Sequence, residues 1–270
     1  MTLALYHNDM SLCAQKARVC LAEKGLPWED RHLVLRDGPH QQEWYRKLNR
    51  RAVVPTLIDG DKVIPESNVI LEYLEDTYPE PRLSPKDAYG RAQMRLWTRQ
   101  LDEDIHDQSA AIISFGIAFR HQYLERGELG KAMLEQIPNL FKRERRRDVI
   151  EKGPDSMHFI IAVQRMVQML DEMEEALGEH RWLATDEYTL ADVAFTPYLL
   201  RLEHLDLLGM VDERPRVADW YVRCQARPSF HEALRKWENP KYLSLMKSRG
   251  EQHWPQVRAI MAGGRTAAAA

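Results

Sequence analysis

The sequence predicts an α/β layer followed by an all-α part. Three observations carry this. The first eighty residues alternate short strand-like and helix-like segments. Three prolines fall within the seven residues from Pro79 to Pro85. Beyond them the apolar residues recur almost entirely at helical spacing.

Each element of the first part follows from its pattern. Thr2 to His7 alternates apolar and polar residues and reads as a strand. Ser11 to Lys24 has helical spacing, with Cys13, Ala17, Cys20, Leu21 and Lys24 on one side. Gly25 stands where a helix C-cap belongs, and Pro27 bars continuation. Trp28 to Leu35 reads as a second strand and Gln41 to Leu48 as a short helix. Val54 to Ile58 is a third strand that opens at a proline, Asp59-Gly60 is a hairpin turn, and Lys62 to Ile64 returns. Ser67 to Tyr78 is a helix with Val69, Ile70, Tyr73 and Leu74 apolar. The predicted order is βαβαββα.

The prolines after Tyr78 cannot continue a helix and make a stiff connection. We therefore divide the chain into a first domain over 1–79, a linker over 80–87, an all-helical domain over 88–245 and a C-terminal extension and tail over 246–270. The spacing predicts a helix over 88–118 and a charged, broken helical region over 128–150 that contains Pro138. Further helices are predicted over 156–177, 189–208, 215–225 and 229–237. The end from Gly263 onward, closing on four alanines, reads as a frayed tail.

The charge balance of 38 basic and 41 acidic residues gives a net charge of −3, and 44% of residues are hydrophobic. This excludes a disordered or collagen-like chain and calls for neither nucleic acid nor an anionic membrane as a general partner. No apolar run is long enough to span a bilayer, and Met1 to His7 lacks the pattern of a signal peptide. Cys13, Cys20 and Cys224 are too few for a disulfide framework, so a reducing cytoplasm is expected. The histidines show no metal-ligand spacing, so no metal is expected. The run Lys142 to Arg147 is a potential phosphate or anionic-lipid binder. Interleaved Glu144 and Asp148, with no aromatic nearby except Phe141, make a solvated helix face the stronger reading.

Three features of the first domain bear on chemistry. Ser11 sits where a loop becomes a helix. It can be an N-cap alone, or it can also donate a hydrogen bond to an anion held at the helix end. Val54-Pro55 is strand punctuation or a cis bond that leaves the Val54 backbone open to an extended ligand. Glu66-Ser67 caps a helix, or it binds an amine through Glu66 and a carboxylate through the helix start at Ser67. Together they are what a zwitterionic peptide bearing a thiol requires.

Four motifs occur in order. They are Ser11-Leu12-Cys13-Ala14-Gln15-Lys16-Ala17-Arg18 leading to Leu21-Ala22-Glu23-Lys24-Gly25; Leu48-Asn49 followed by Val54-Pro55-Thr56-Leu57; Glu66-Ser67-Asn68-Val69-Ile70-Leu71-Glu72-Tyr73-Leu74; and the capping box Thr189-Leu190-Ala191-Asp192-Val193-Ala194. With the proline linker between them, the chain resembles the glutathione transferase family over roughly residues 2–237. The likeness is to serine-type members (theta, tau and omega-like), including bacterial β-aryl-etherase-like ones. The resemblance implies a thioredoxin-like first domain, an all-helical second domain, glutathione as co-substrate, a small hydrophobic electrophile as second substrate, and a homodimer.

It also implies roles. Ser11, fourteen residues before Gly25, is the catalytic hydroxyl. Val54 pairs with the cysteinyl backbone of glutathione beside cis Pro55, and Glu66 and Ser67 hold its γ-glutamyl end. Tyr6 is an alternative hydroxyl, in the strand where tyrosine-type members carry theirs. Ser11 would favour thiolate over thiol; lowering a thiol pKa by about two units takes roughly 2.7 kcal/mol of differential stabilisation. The chain departs from the family in having Asn49-Arg50 for Asn-Pro, and Ala52-Val53 where many members grip the glycine end. His40, Arg50 and Arg51 are the candidates to substitute there.

Cys13 stands two residues after Ser11 and is a candidate for thiol exchange, but it shares a helix stripe with Ala17 and Cys20, which favours a core role. In such folds the electrophile site involves Asn8 to Met10, the helix near Trp97, Leu101 and Ile105, and the C-terminal part. The long segment 118–153, with its arginine run, is similar to ether-cleaving and dehalogenating members. The function expected is glutathione transfer, in its narrower form cleavage of an aryl ether. The alternatives are a non-catalytic binding protein of this fold and a thiol-exchange enzyme using Cys13.

Overall fold

The structure, a computed structural model, describes residues 3–137 and 139–268, with side chains as far as Gly263. Thr2, expected to open the first strand, and Pro138, expected inside the broken helical region, lie outside the described residues, as do the last two alanines. The contacts divide the chain into two units: Met1–Thr98 with Glu179–Pro197 and Asp219–Asn239, and Arg99–Gly178 with Tyr198–Ala218 and Pro240–Ala270.

The first unit holds β1 (Leu3–His7), α1 (Leu12–Glu23), β2 (Trp28–His32), α2 (Glu43–Leu48), β3 (Thr56–Asp59), β4 (Lys62–Pro65) and α3 (Ser67–Thr77). The order is the βαβαββα expected. The sheet order is β2-β1-β3-β4, with β2 parallel to β1, and β3 and β4 each antiparallel to the strand before it in the sheet. β1 is central because Leu3, Ala4 and Leu5 are all buried. Asp59 pairs with Lys62, so Gly60-Asp61 forms the hairpin loop, and Gly60 takes the left-handed φ of 62° that the turn requires. The second strand ends at His32 rather than Leu35. Leu35–Asp37 and Pro39–Gln41 are single 3₁₀ turns.

The linker is pinned to α1 and α3. Buried Lys24 and Glu75 pair at 2.7 Å, and Lys24 Nζ also donates to the carbonyls of Tyr78 and Pro81. Glu75 accepts from Leu83 N–H and Ser84 Oγ. The Glu80-Pro81 bond is cis.

The chain continues through α4 (Ala88–Gln100), a π-helical stretch over Leu101–Ala110, α5 (Ala111–Ser114), a second π-helical stretch over Phe115–Phe119, and α6 (Arg120–Leu124). A uniform helix over 88–118 is thus corrected: the backbone stays helical but twice widens to i→i+5 bonding, as where Ala111 N–H donates to His106 C=O. The broken region resolves into α7 (Glu128–Glu135) and α8 (Leu140–Lys152), followed by α9 (Met157–Glu179), α10 (Leu190–His204), α11 (Pro215–Gln225) and α12 (Pro228–Ala233). The capping box forms: Asp192 accepts from Thr189 N–H at 2.9 Å while Thr189 Oγ1 accepts from Ala191 N–H. Asp192 also accepts from Leu183 N–H and Trp220 Nε1. Burial raises its carboxyl pKa, and these donors oppose the rise.

Two expectations fail in the second unit. The arginine run is not a solvated face. Lys142 pairs with Asp107, Arg143 and Arg147 with Glu135, and Arg146 lies 3.5 Å over the Phe115 ring. These partners lie outside the run, so spacing within it does not show them. The end expected to fray from Gly263 is instead helical as far as Ala268: α13 runs over Pro240–Ala268, through Pro255.

Candidate active site

Strand register gathers the candidate residues. Tyr6 pairs with Thr56, and Thr56 with Pro65. The end of β1, the start of β3 and the end of β4 therefore meet at one end of the sheet. The loop 8–11, the Val54-Pro55 bond and Glu66-Ser67 each follow or precede those positions directly. His7 pairs with His32 in parallel, so the loop after β2, which carries His40, leaves from the same end.

Ser11 is the N-cap of α1. Its φ of −73° and ψ of 119° are extended, and its Oγ accepts from Ala14 N–H at 3.3 Å. The cap uses the oxygen as an acceptor, which leaves the hydroxyl proton to donate elsewhere. Ser11 is half-buried. The preceding turn is tightly folded. Asn8 donates to Leu33 C=O and accepts from Met10 N–H, while Asp9 N–H donates to His32 Nε2.

The Val54-Pro55 bond is cis. Val54 stands outside the ladder, which begins at Thr56, and its side chain packs with Leu33 and Tyr45. Tyr45 and Asn49, both buried, set this stretch. Tyr45 Oη donates to Val53 C=O at 2.7 Å, and Asn49 Nδ2 donates to the same carbonyl at 2.9 Å. Burial pushes the Tyr45 phenol up to about 12, so it remains a donor.

Glu66, not Ser67, holds the N-cap position of α3, and its side chain makes no capping hydrogen bond. Ser67 is the first helical residue and is buried. The expected capping by Ser67 is therefore corrected. Glu66 has a left-handed φ of 69°, an uncommon conformation for a residue with a Cβ. Its Oε2 pairs with Arg51 Nη1 at 2.8 Å, while Oε1 is buried without a hydrogen-bond partner among the described residues. A helix start of this kind beside an acceptor without a partner has the chemistry to suit a group carrying both carboxylate and amine. Arg51 is thus drawn to Glu66, and Arg50 is exposed. His40 is half-buried on its 3₁₀ turn. Its Nδ1 has no hydrogen-bond partner among the described residues, and burial with nearby Arg46 lowers its pKa.

Comparison with known proteins agrees with this geometry. Residues 5–82 match the family model for the glutathione S-transferase N-terminal domain, and residues 122–223 match that for the C-terminal domain. The chain belongs to the glutathione transferase family. It is 29% identical over 260 residues to Protein LigF of Sphingobium sp. strain SYK-6, covering 93% of this chain and 99% of that one. It is 28% identical over 250 residues to the tetrachloro-p-hydroquinone reductive dehalogenase of Sphingobium chlorophenolicum, covering 86% and 95%. The crystal structure of β-etherase LigF from Sphingobium sp. strain SYK-6 superimposes with a TM-score of 0.78 at 27% identity, over 87% of this chain and all of that one.

As a glutathione transferase the chain is an enzyme that uses glutathione as co-substrate. Other sequence candidates fall out as follows. Tyr6 Oη accepts from Arg31 Nη1 at 3.0 Å, which, as at Ser11, leaves its own proton to donate. Cys13 is half-buried rather than in the core, whereas Cys20 and Cys224 are buried, and burial pushes both of their thiols up. Among the described residues no cluster with metal-binding capacity occurs, and no helix is long and apolar enough to cross a membrane. The contacts of Tyr45, Asn49 and Arg18 beside these candidates are not visible in the sequence, although Asn49 and Arg18 stand in the motifs quoted. Their side chains act on backbone groups that only the folded chain brings to them.

Proposed function

We propose that this glutathione transferase uses Ser11 to hold the thiolate of glutathione against an electrophilic carbon, and that its reaction is cleavage of an aryl ether. The observation that carries the site is the strand register, which brings Ser11, Val54-Pro55 and Glu66-Ser67 to one sheet end. The similarity to β-etherase LigF in sequence and in fold supports the ether, and the dehalogenase relative makes a carbon–halogen bond the second candidate.

The work divides among named groups. Glutathione supplies the nucleophilic sulfur. Ser11 donates its hydroxyl proton to that sulfur, while the N–H groups of the first turn of α1 add positive potential. The Val54 backbone receives the cysteinyl unit in extended form, held in place by Tyr45 and Asn49 through the neighbouring Val53 carbonyl. Glu66 takes the γ-glutamyl amine and the N–H groups at Ser67 its carboxylate. Arg51 orients Glu66, which leaves His40 as the group to meet the glycine end. Sulfur displaces the aryloxy group, the carbon–oxygen bond breaks with its electron pair on oxygen, and the phenolate takes a proton from water.

The exposed Val69 of α3 and Tyr89 and Leu96 of α4 support the further reading that the enzyme works as a homodimer. The thiols of Cys13, Cys20 and Cys224, none in a disulfide, suit a cytoplasmic setting. A second reading, thiol exchange, is favoured by the half-buried position of Cys13 in the first turn of α1. The test is a panel of β-aryl ethers, aryl halides and disulfides assayed with glutathione, wild type against Ser11→Ala and Cys13→Ser. Ether turnover lost in Ser11→Ala alone supports the proposal. Disulfide reduction lost in Cys13→Ser, with ethers inert, replaces it by thiol exchange.

A further inference from the structure

Arg18 is 1% exposed, and its partners are carbonyls and a ring nitrogen rather than a carboxylate. A guanidinium removed from water with no carboxylate bonded directly to it is costly, and an apolar side chain would fill the space more cheaply. Its donors show what the charge does. Nη1 donates to Asn8 C=O at 3.0 Å and Nη2 to Asp9 C=O at 2.8 Å. Nε donates to Ala233 C=O at 2.8 Å, at the end of α12. The indole of Trp237 covers the guanidinium at 5.1 Å.

Helix geometry explains how Arg18 reaches the loop. It lies seven residues, about two turns, after Ser11 and on the same face. Side chains on a helix lean toward its N-terminus, so the guanidinium extends back beneath the turn that delivers Ser11. From β1, His7 completes the arrangement. Arg18 Nη1 donates to His7 Nδ1 at 3.1 Å, so the ring carries its proton on Nε2, which donates to Asp30 Oδ1 at 2.7 Å. Asp9 on the loop, and Asp30 and His32 on β2, are the other charged or titratable groups acting on this pair.

We propose that Arg18 is a positioning residue for the thiolate site. Its planar fork clamps the Asn8 and Asp9 carbonyls so that Ser11 Oγ and the first N–H groups of α1 stay aimed at the glutathione sulfur, and Asp30, through His7, holds the fork. The proposal rests on the reading of Ser11 given above. It extends that reading to a residue that touches neither substrate.

The test is the thiol pKa of enzyme-bound glutathione, followed by ultraviolet thiolate absorbance, with the pH profile of kcat/KM. The proteins are wild type, Ser11→Ala, Arg18→Lys and Asp30→Ala. Arg18→Lys keeps the charge and loses the fork. Its thiol pKa should rise by about one unit, so that kcat/KM falls about tenfold at acidic pH and recovers at alkaline pH. KM for glutathione should change less than kcat, since the γ-glutamyl end is held elsewhere. Asp30→Ala, a change at a half-exposed carboxylate that leaves the buried charge in place, should give a shift in the same direction of about twofold on the acid limb. Thermal unfolding confirms that each profile belongs to folded protein, and Asp30→Ala carries the test if Arg18→Lys does not fold. Wild-type profiles in both variants, beside an alkaline shift in Ser11→Ala, overturn the role of Arg18 and leave Ser11 standing. A wild-type profile in Ser11→Ala removes the reading of Ser11 and with it the proposal.

Discussion

Replacing Ser11 separates its two duties if alanine and glycine are compared. As N-cap, its Oγ accepts from Ala14 N–H at 3.3 Å with extended backbone. Loss of such a cap to alanine costs about 1 kcal/mol, whereas glycine costs only a few tenths. As a donor to a thiolate, the hydroxyl makes a hydrogen bond to a charged group, worth about 1.5–3 kcal/mol. That corresponds to a rise of roughly one to two units in thiol pKa and a loss of about 10- to 100-fold in kcat/KM on the acid side of the profile. Both substitutions remove the donor, so both should lose the same activity while differing by about half a kcal/mol or more in stability. Ser11→Thr keeps a hydroxyl and should retain most of the rate. The assay is kcat/KM against pH with a chromogenic electrophile, beside urea unfolding of each variant. Activity that tracks stability, with glycine near wild type and only alanine impaired, would refute the donor role and leave Ser11 a cap.

Four further outcomes follow from the structure. Cys13→Ser should keep ether and halide turnover within about twofold, since the sulfur used belongs to glutathione; the same activity panel checks this. Glu66→Gln should raise KM for glutathione about five- to tenfold with little change in kcat, because it removes charge from the group facing the amine; steady-state kinetics with glutathione varied will show it. Glu75→Gln should destabilise the fold by about 3 kcal/mol in urea unfolding, because it strands buried Lys24, and adding Lys24→Met should recover part of that loss. His7, fully buried beside Arg18, has its pKa lowered to about 4 from the usual 6.5, first by burial and then by that charge. A folded-state pKa below the unfolded one gives stability that is present above 6.5 and lost as pH falls toward 4. Urea unfolding should therefore show His7 contributing about 2 kcal/mol less near pH 5 than near pH 7, a difference absent in His7→Gln.

Local pattern made most of the first unit legible. Strands of four or five residues, a helix bounded by Ser11 and Gly25, and the turn after Asp59 announce themselves because each depends on neighbours in sequence. The Thr189–Asp192 capping box belongs to the same class, whereas the Val54-Pro55 pattern leaves punctuation and a cis bond open and only the family resemblance implies the cis form found. What escaped depends on side-chain contacts that form only once the chain has folded, even where the partners are near in sequence. Arg18, Tyr45 and Asn49 carry polar side chains that ordinarily mark surface, and only the folded chain supplies the carbonyls that bury them. Glu66 displaced Ser67 from the cap through a positive φ, which side-chain type does not disclose for glutamate. The charges of Arg143 and Arg147 are met by Glu135, across a helix break. The helix over Pro240–Ala268 carries Pro255 and several glycines, so its propensity is poor and tertiary contacts, such as Tyr242 against Phe119, must sustain it.

The most direct measurement is a crystal structure of the enzyme with glutathione bound. Sulfur within hydrogen-bonding reach of Ser11 Oγ is the expected result, with the cysteinyl backbone paired to Val54 and the γ-glutamyl group between Glu66 and the start of α3. Sulfur seated against Cys13 or Tyr6, with Ser11 bonded only to Ala14 N–H, would contradict the account.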